Sequence, residues 1–99
     1  MNKSYWVIAW KSISNPAAVE RYIAPATEAI IAHGGRVIAG GEPNRTYEAG
    51  QASRIVLVEF ENLQAAISAY ESDDYQATLR FLVGAAERDV RIIEGLAAP

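Results

Sequence analysis

Two short segments of this sequence are apolar along almost their whole length. Residues 5–10 read Tyr-Trp-Val-Ile-Ala-Trp, and residues 55–60 read Ile-Val-Leu-Val-Glu-Phe. Aromatic and β-branched side chains dominate both segments, and neither is long enough for a stable isolated helix, so each predicts a β-strand. Because neighbouring residues of a strand point to opposite faces of its sheet, both faces of this sheet must be largely apolar. Helices packed on one side can cover only one of them.

The first helix has clear start and stop signals. Asn15 followed by Pro16 predicts its beginning, since Asn caps a helix well and Pro suits the first helical position. Gly34-Gly35 predicts its end, because Gly readily adopts the left-handed conformation found just past a helix. Pro25 lies inside the apolar periodicity and lacks the donor for the carbonyl one turn earlier, so we expect a kink or a break there.

A second helical region occupies the later part of the chain. Asn62 is the predicted cap of its first piece, and Ser72 with Asp73 and Asp74 interrupts it and caps a second piece. Strands are expected at residues 4–11, 36–41, 54–60 and 89–94. Residues 42–53 are expected to form a loop, in which residues 45–47 are a candidate extension of the sheet.

The predicted order is therefore β-α-β-β-α-β, which is typical of an α+β, ferredoxin-like domain with an antiparallel sheet and both helices on one face. We expect a single domain over residues 1–99, with a core at about 4–95 and a short tail at 96–99. The second sheet face then needs another cover. Pairing with the same face of a second copy would bury it, so the sequence predicts an obligate or near-obligate homodimer.

The composition excludes several kinds of site and argues against one class of partner. The 99 residues contain no Cys, which removes disulfides, thiolate metal sites and Cys nucleophiles, and the net charge of −3 argues against nucleic-acid binding. The apolar stretch at residues 5–10 is far shorter than the ~20 residues of a membrane helix, and no secretory signal is recognisable. We therefore expect a cytoplasmic protein that neither binds membranes nor uses a metal.

Four segments together resemble a known family. They are Gly-Gly-Arg-Val-Ile-Ala at 34–39, Arg-Ile-Val-Leu-Val-Glu-Phe at 54–60, Ala-Tyr-Glu-Ser-Asp-Asp-Tyr-Gln-Ala at 69–77 and Ile-Ile-Glu-Gly at 92–95. In this order they resemble the small bacterial family known as domain of unknown function 1330. The resemblance implies a ferredoxin-like subunit of a dimeric α+β barrel. The wider superfamily it implies includes small monooxygenases of the antibiotic-biosynthesis type, muconolactone isomerases and haem-binding proteins.

Two residues are candidates for acid–base chemistry. Glu59 interrupts an apolar strand, so a position inside a barrel would raise its pKa, whereas the alternative is a structural ion pair with Arg36, Arg54 or Arg91. His33 is the only histidine and is a candidate general base or haem ligand. Its alternative role is to complement the helix dipole just before Gly34.

Six further residues are candidate ligand contacts. Arg36 and Arg54 open their strands and are able to hold a carboxylate, although strand-end arginines are commonly solvated or paired. Tyr70 and Tyr75 flank the helix interruption, where either hydroxyl is able to reach a ligand, but their spacing equally fits core packing.

Trp6 and Trp10 share one strand face. They are a candidate platform for a planar ligand, and packing at the dimer interface is the alternative that we favour for them.

These residues suggest two main functions. The first is a small enzyme, monooxygenase- or isomerase-like, that acts on a small hydrophobic metabolite without a cofactor of its own. Its pocket is expected between the helices and the sheet of one subunit, closed by residues 42–53. The alternative is a non-catalytic module that binds a small ligand or a partner protein. Haem binding, which rests on His33 and the superfamily, is a third hypothesis.

Overall fold

The chain was analysed as a computed structural model that describes residues 2–97. Its elements, in chain order, are β1 (Ser4–Ile13), α1 (Pro16–Ala32), β2 (Arg36–Gly41), β3 (Ile55–Phe60), α2 (Leu63–Glu71), α3 (Asp73–Thr78), a 3-10 helix (Leu79–Phe81) and β4 (Ala86–Glu94). The strands form one sheet in the order β2-β3-β1-β4, and every neighbouring pair is antiparallel. This arrangement confirms the α+β, ferredoxin-like fold predicted from the order of elements.

The helix ends follow the local sequence closely. The side chains of Asn15, Asn62 and Ser72 accept hydrogen bonds from backbone N–H groups three residues later, as expected of N-caps. After α1, Gly34 has φ +82°, its N–H donates to the Ile31 carbonyl, and the next N–H donates to the Ile30 carbonyl. This pattern is a Schellman motif, so the predicted stop signal is confirmed.

Other boundaries differ from the prediction. Of the kink and the break that we expected at Pro25, the break is wrong, because α1 continues through this residue, and residues 45–47 do not join the sheet. The strand β4 begins at Ala86, three residues earlier than expected, because it pairs with the long end of β1 as far as Ile13. Part of the predicted tail, residues 98 and 99, lies outside the described residues.

One face of the sheet carries the helices and the core. Trp6, Ile8 and Trp10 alternate along β1 on this face and are at most 4% exposed. The Trp6 ring packs against Phe60 and Tyr75, with ring centroids 5.0 and 4.9 Å apart. The interpretation of the two tryptophans as dimer-interface residues is therefore wrong, because the helices of their own chain cover them.

The opposite face, which we call the open face, has no helix over it within residues 2–97. The β1 residues between the buried positions lie on it, with Val7 opposite Leu57 of β3 and Arg91 of β4. Ile55 and Ile93 also lie on this face and are 40% and 60% exposed. Apolar residues therefore fill the middle of a face that water reaches in the single chain.

Candidate functional site

A cavity of about 330 Å³ lies between α1 and the helix-covered face of the sheet. Its volume is in the range of small-molecule sites, ~300–1,000 Å³. Most of its wall is apolar and comes from α1, β1, β2 and β3: Ile8, Trp10, Ile23, Ala26, Ile30, Val37, Val56 and Val58. Tyr22, Thr27, Arg54 and Arg88 supply the polar side chains. The cavity therefore joins an aromatic and aliphatic wall to two guanidinium groups.

Arg88 is held by two tyrosines from different helices. It stands opposite Trp10 in the sheet, and its Nη1 donates to the Tyr22 hydroxyl at 3.1 Å. A longer contact of 3.4 Å runs from Nη2 to the Tyr75 hydroxyl, and the two hydroxyls lie 2.6 Å apart. The three side chains form a connected network that fixes the guanidinium beside the cavity.

Burial shifts the titration of this network. It raises the pKa of Tyr22 strongly, and Tyr75 adds to the increase while the charge of Arg88 opposes it. Burial also disfavours the charge on Arg88, but the two tyrosines outweigh it and hold the pKa of Arg88 above its usual value. At neutral pH the network therefore contains the Arg88 cation and the protonated hydroxyl of Tyr22.

Two buried donors at the cavity have no partner among residues 2–97. They are Nε1 of Trp10 and Nε of Arg54, and Ser4 Oγ is the third such side-chain atom in the described chain. A buried donor without an acceptor costs free energy, so two at one cavity are unusual in a stable fold. Both side chains belong to residues that line the cavity.

Positive charge surrounds the Trp10 ring. The guanidinium carbon of Arg88 lies 5.1 Å from the ring centroid, and that of Arg54 lies 5.7 Å from it. These are cation–π distances. Within residues 2–97 neither arginine forms an ion pair, and no carboxylate belongs to the cavity lining. The polar end of the cavity is therefore rich in donors and electropositive.

Glu59 lies on the other side of the sheet. It pairs with Tyr5 across β1 and β3 on the open face, and its Oε1 is 3.0 Å from Arg36 Nη2 and 3.6 Å from Lys3 Nζ. The ion pair with Arg36 considered from the sequence is thus present. Neither Glu59 nor Arg36 lines the cavity.

His33 is the C-cap of α1 and lies outside the cavity. Its Nε2 donates to Asp74 Oδ1 at 2.8 Å, which ties the end of α1 to the first turn of α3. This hydrogen bond lowers the pKa of Asp74. The contact is a surface connection between two helices.

The remaining candidates are core residues. Trp6 Nε1 donates to the Ala66 carbonyl at 2.8 Å, and Tyr70 packs edge-on against the same indole. Tyr75 is fully buried and reaches the cavity only through its hydroxyl contacts with Tyr22 and Arg88. Of the eight candidates, the structure brings Trp10 and Arg54 together at the cavity.

Sequence reasoning missed Arg88 and Tyr22. Arg88 alternates with Val90 and Ile92 on the helix-covered face of β4, which is a recognisable signal once the strand begins at Ala86. The strand predicted from the sequence began at residue 89, so Arg88 was not counted as part of it. Tyr22 fits the apolar face of α1 as an ordinary core residue, and nothing local marks its hydroxyl. The predicted lid, residues 42–53, contributes nothing to the cavity lining.

Two features are absent from residues 2–97. None of the helices there combines the length and hydrophobicity needed to cross a bilayer. No group of three or more His, Asp or Glu side chains in this part of the chain is arranged to hold a metal ion.

The fold is that of a ferredoxin-like α+β protein, with a cavity of small-molecule size between α1 and the sheet. The family model for the domain of unknown function DUF1330 matches residues 3–96. The chain therefore belongs to the DUF1330 family. No curated protein has significant sequence similarity to it.

Solved structures share the fold at low sequence identity. A protein of unknown function from Rhodopseudomonas palustris is 11% identical with a TM-score of 0.72, and the match covers 98% of this chain and 85% of that one. A dimeric ferredoxin-like protein of unknown function from Thermobifida fusca is 16% identical, with a TM-score of 0.63 and coverage of 94% and 91%. SnoaB, a cofactor-independent oxygenase from Streptomyces nogalater, is 11% identical, with a TM-score of 0.67 and coverage of 99% and 97%.

Proposed function

We propose that this protein binds a small hydrophobic metabolite in the cavity between α1 and the sheet. The observation that carries the proposal is the convergence of Arg54, Arg88, Trp10 and Tyr22 on one ligand-sized, otherwise apolar space. An arginine held among aromatic rings costs desolvation free energy, and a bound polar group compensates for that cost. Ordinary core packing would be satisfied by aliphatic side chains at these positions.

A cavity-filling substitution tests the proposal. Thr27 lines the cavity from α1, whereas Ala24 is exposed on the same helix and does not. We expect 1-naphthamide to bind the wild-type protein and A24F in calorimetric titrations, and T27F to lose at least about tenfold in affinity. Equal binding by T27F would refute the proposed site, and so would the absence of binding to the wild-type protein by both 1-naphthamide and the matching acid, 1-naphthoate. Native mass spectrometry of gently purified protein would also reveal a ligand carried over from the host.

A cofactor-independent reaction on the bound metabolite, of the monooxygenase or isomerase type, is the second candidate function. The fold shared with SnoaB, a cofactor-independent oxygenase, favours it. The cavity donors would stabilise negative charge on a substrate oxygen. Neither arginine nor the high-pKa Tyr22 serves as a base near neutral pH, so proton removal would have to come from the substrate or from another part of the chain.

Glu59 and His33 remain the predicted acid–base residues for that second function. Neither lines the cavity, so a catalytic role for either requires substrate at the open face or near the end of α1. Once a bound compound is known, oxygen consumption and product formation by E59Q and H33A test these roles. Full turnover by both variants would remove both residues from the mechanism, and no turnover by the wild-type protein would favour simple binding.

We also propose a homodimer formed through the open face. Support comes from the apolar residues of that face, which include Leu57, Ile55 and Ile93, and from the dimeric protein of Thermobifida fusca with the same fold. The wild-type protein is expected at twice the 10.8 kDa chain mass in native spectra, and L57K is expected to dissociate. V83K is the control, since Val83 is 83% exposed in the turn before β4. A monomeric wild-type protein at micromolar concentration would contradict the dimer.

Four segments of this chain resemble a small bacterial family, and we therefore propose a cytoplasmic location in a bacterial cell. Fractionation of cells that express the full chain tests the location. Recovery in the membrane or secreted fraction would overturn it.

A further inference from the structure

We infer that the ligand of the cavity is a carboxylate, the anion of a small aromatic or apolar acid, and that Arg54 and Trp10 bind its oxygens. The inference rests on the proposed function, because it names the chemical class of compound that the same cavity binds. It goes further in assigning the polar contact to two particular donors.

Two buried donors on residues that line the cavity have no acceptor among residues 2–97. Trp10 is 4% exposed, and its Nε1 has no partner among residues 2–97. The same is true of Nε in Arg54, whose backbone carbonyl accepts from the Trp10 N–H at 2.9 Å. The two residues are thus adjacent at one end of the pairing between the inner strands β1 and β3, and both line the cavity. A ligand oxygen would satisfy both donors once their side chains turn enough to expose them, because each of the two atoms is screened from water in this structure.

The cavity also carries positive charge that no lining carboxylate balances. Arg54 and Arg88 both lie against Trp10, and no Asp or Glu lines the cavity. An anionic ligand supplies the missing negative charge, whereas a neutral ligand leaves two cations at the cavity without a counter-ion. A carboxylate also matches the planar, paired donors of a guanidinium and leaves the rest of the molecule free to fill the apolar wall.

The two arginines have different roles. Arg88 already donates to Tyr22 and Tyr75, so the network fixes its position and it acts mainly as a nearby positive charge. Arg54 has an unused buried donor, which makes it the residue that contacts the carboxylate. Arg54 is therefore the specificity-determining residue, and Arg88 adds a fixed positive charge beside it.

Matched probes test the ligand class on the full chain. The acids benzoate and 1-naphthoate are compared with their uncharged amides, benzamide and 1-naphthamide, by isothermal titration calorimetry. We expect the better-fitting acid to bind at least about tenfold more tightly than its amide, because hydrogen bonds to a charged group are the stronger ones. Equal affinities for acid and amide would overturn the inference and leave the proposed cavity site standing. No binding of any probe would overturn both.

Substitutions test the assigned donors. R54M is expected to reduce the affinity for the acid to that for its amide, while the affinity for the amide changes less than about threefold. W10F keeps an aromatic ring and removes Nε1–H, so it is expected to weaken the acid selectively and by less than R54M. R21M is the control, because Arg21 is exposed on α1 away from the cavity lining. Equal weakening of acid and amide by R54M would indicate lost packing and refute the assignment. If circular dichroism shows that R54M is unfolded, W10F and the probe pairs decide the outcome.

Discussion

Replacing Tyr22 by Phe removes the hydroxyl that links α1 to α3 and to β4. That hydroxyl lies 2.6 Å from the Tyr75 hydroxyl and accepts from Arg88 at 3.1 Å. The ring of Tyr22 is 5% exposed and packs edge-on against Trp10, so Y22F preserves the packing and deletes only the polar contacts. Y75F is the matched variant, because Tyr75 is fully buried and contacts Arg88 over a longer distance of 3.4 Å.

These distances set the expected magnitudes. A neutral hydrogen bond contributes ~0.5–1.5 kcal/mol net and one to a charged group ~1.5–3 kcal/mol. Y22F loses a short neutral bond and a well-formed charged one, so we expect a loss of about 2–4.5 kcal/mol in the free energy of unfolding. Y75F loses the same neutral bond and only a long charged contact, so we expect about 1–2 kcal/mol. The double variant is expected to cost less than both losses added together, since one bond is shared.

Urea unfolding followed by tryptophan fluorescence and by circular dichroism measures these losses. If the chain is dimeric, all proteins are compared at one chain concentration, since association contributes to apparent stability. Y22F within about 0.5 kcal/mol of the wild-type protein would refute the reasoning, because the network would then contribute nothing measurable. A larger loss for Y75F than for Y22F would show that Tyr75, and not Tyr22, is the main partner of Arg88.

The contribution of Tyr22 to stability should also depend on pH. Burial raises the pKa of Tyr22 above the ordinary value of 10.0, which the unfolded chain regains. The contribution of Tyr22 to stability is therefore fully present below pH 10 and is lost as the pH rises toward the folded pKa. Above pH 10 the wild-type protein should lose up to ~1.4 kcal/mol per pH unit from this residue, and Y22F should lack that component. Parallel stability curves for the two proteins would contradict this assignment.

Two further predictions concern other parts of the fold. A Cβ on Gly35 would lie 2.6 Å from a ring carbon of Phe60, so G35A should lower the free energy of unfolding by about 1–3 kcal/mol. A Cβ on Gly40 would lie 3.7 Å from its nearest neighbour, so G40A should change that free energy by less than about 0.5 kcal/mol. Equal urea midpoints for the two variants would contradict the clash at Gly35. The hydrogen bond from His33 lowers the pKa of Asp74, so this contact stabilises the fold above the usual Asp pKa and loses its effect as the pH falls through the lowered value. In H33A the carboxyl carbon of Asp74 should titrate at higher pH by NMR, and an unchanged midpoint would rule out this cause.

Much of the local structure was predictable because its causes lie within a few residues. Asn15, Asn62 and Ser72 each cap a helix through a donor three residues away, and Gly34 ends α1 in the left-handed conformation. The sequence left a kink and a break open at Pro25, and α1 is unbroken because packing of the helix on the sheet outweighs one missing hydrogen bond.

The candidate site was only partly predictable. Arg54 and Trp10 were identified from the sequence as ligand contacts, but for different reasons and without any sign that they are adjacent. Arg88 lies at the site because β1 extends to Ile13 and pairs with β4 from Ala86 onward, which places Arg88 opposite Trp10. The pairing of two strands decided that extension, and the residues of β4 alone do not encode it.

The sequence by itself determined the order of elements, the helix caps and the need to cover two apolar sheet faces. Each of these follows from neighbouring residues or from a period of two or 3.6 positions. Tertiary structure alone decided which face the helices cover, because both faces of β1 are apolar and either satisfies the pattern. It also brought the hydroxyls of Tyr22 and Tyr75 within 2.6 Å across 53 residues of chain. Contacts at that separation depend on how the helices pack on the sheet, and the site at the α1 cavity is built from them.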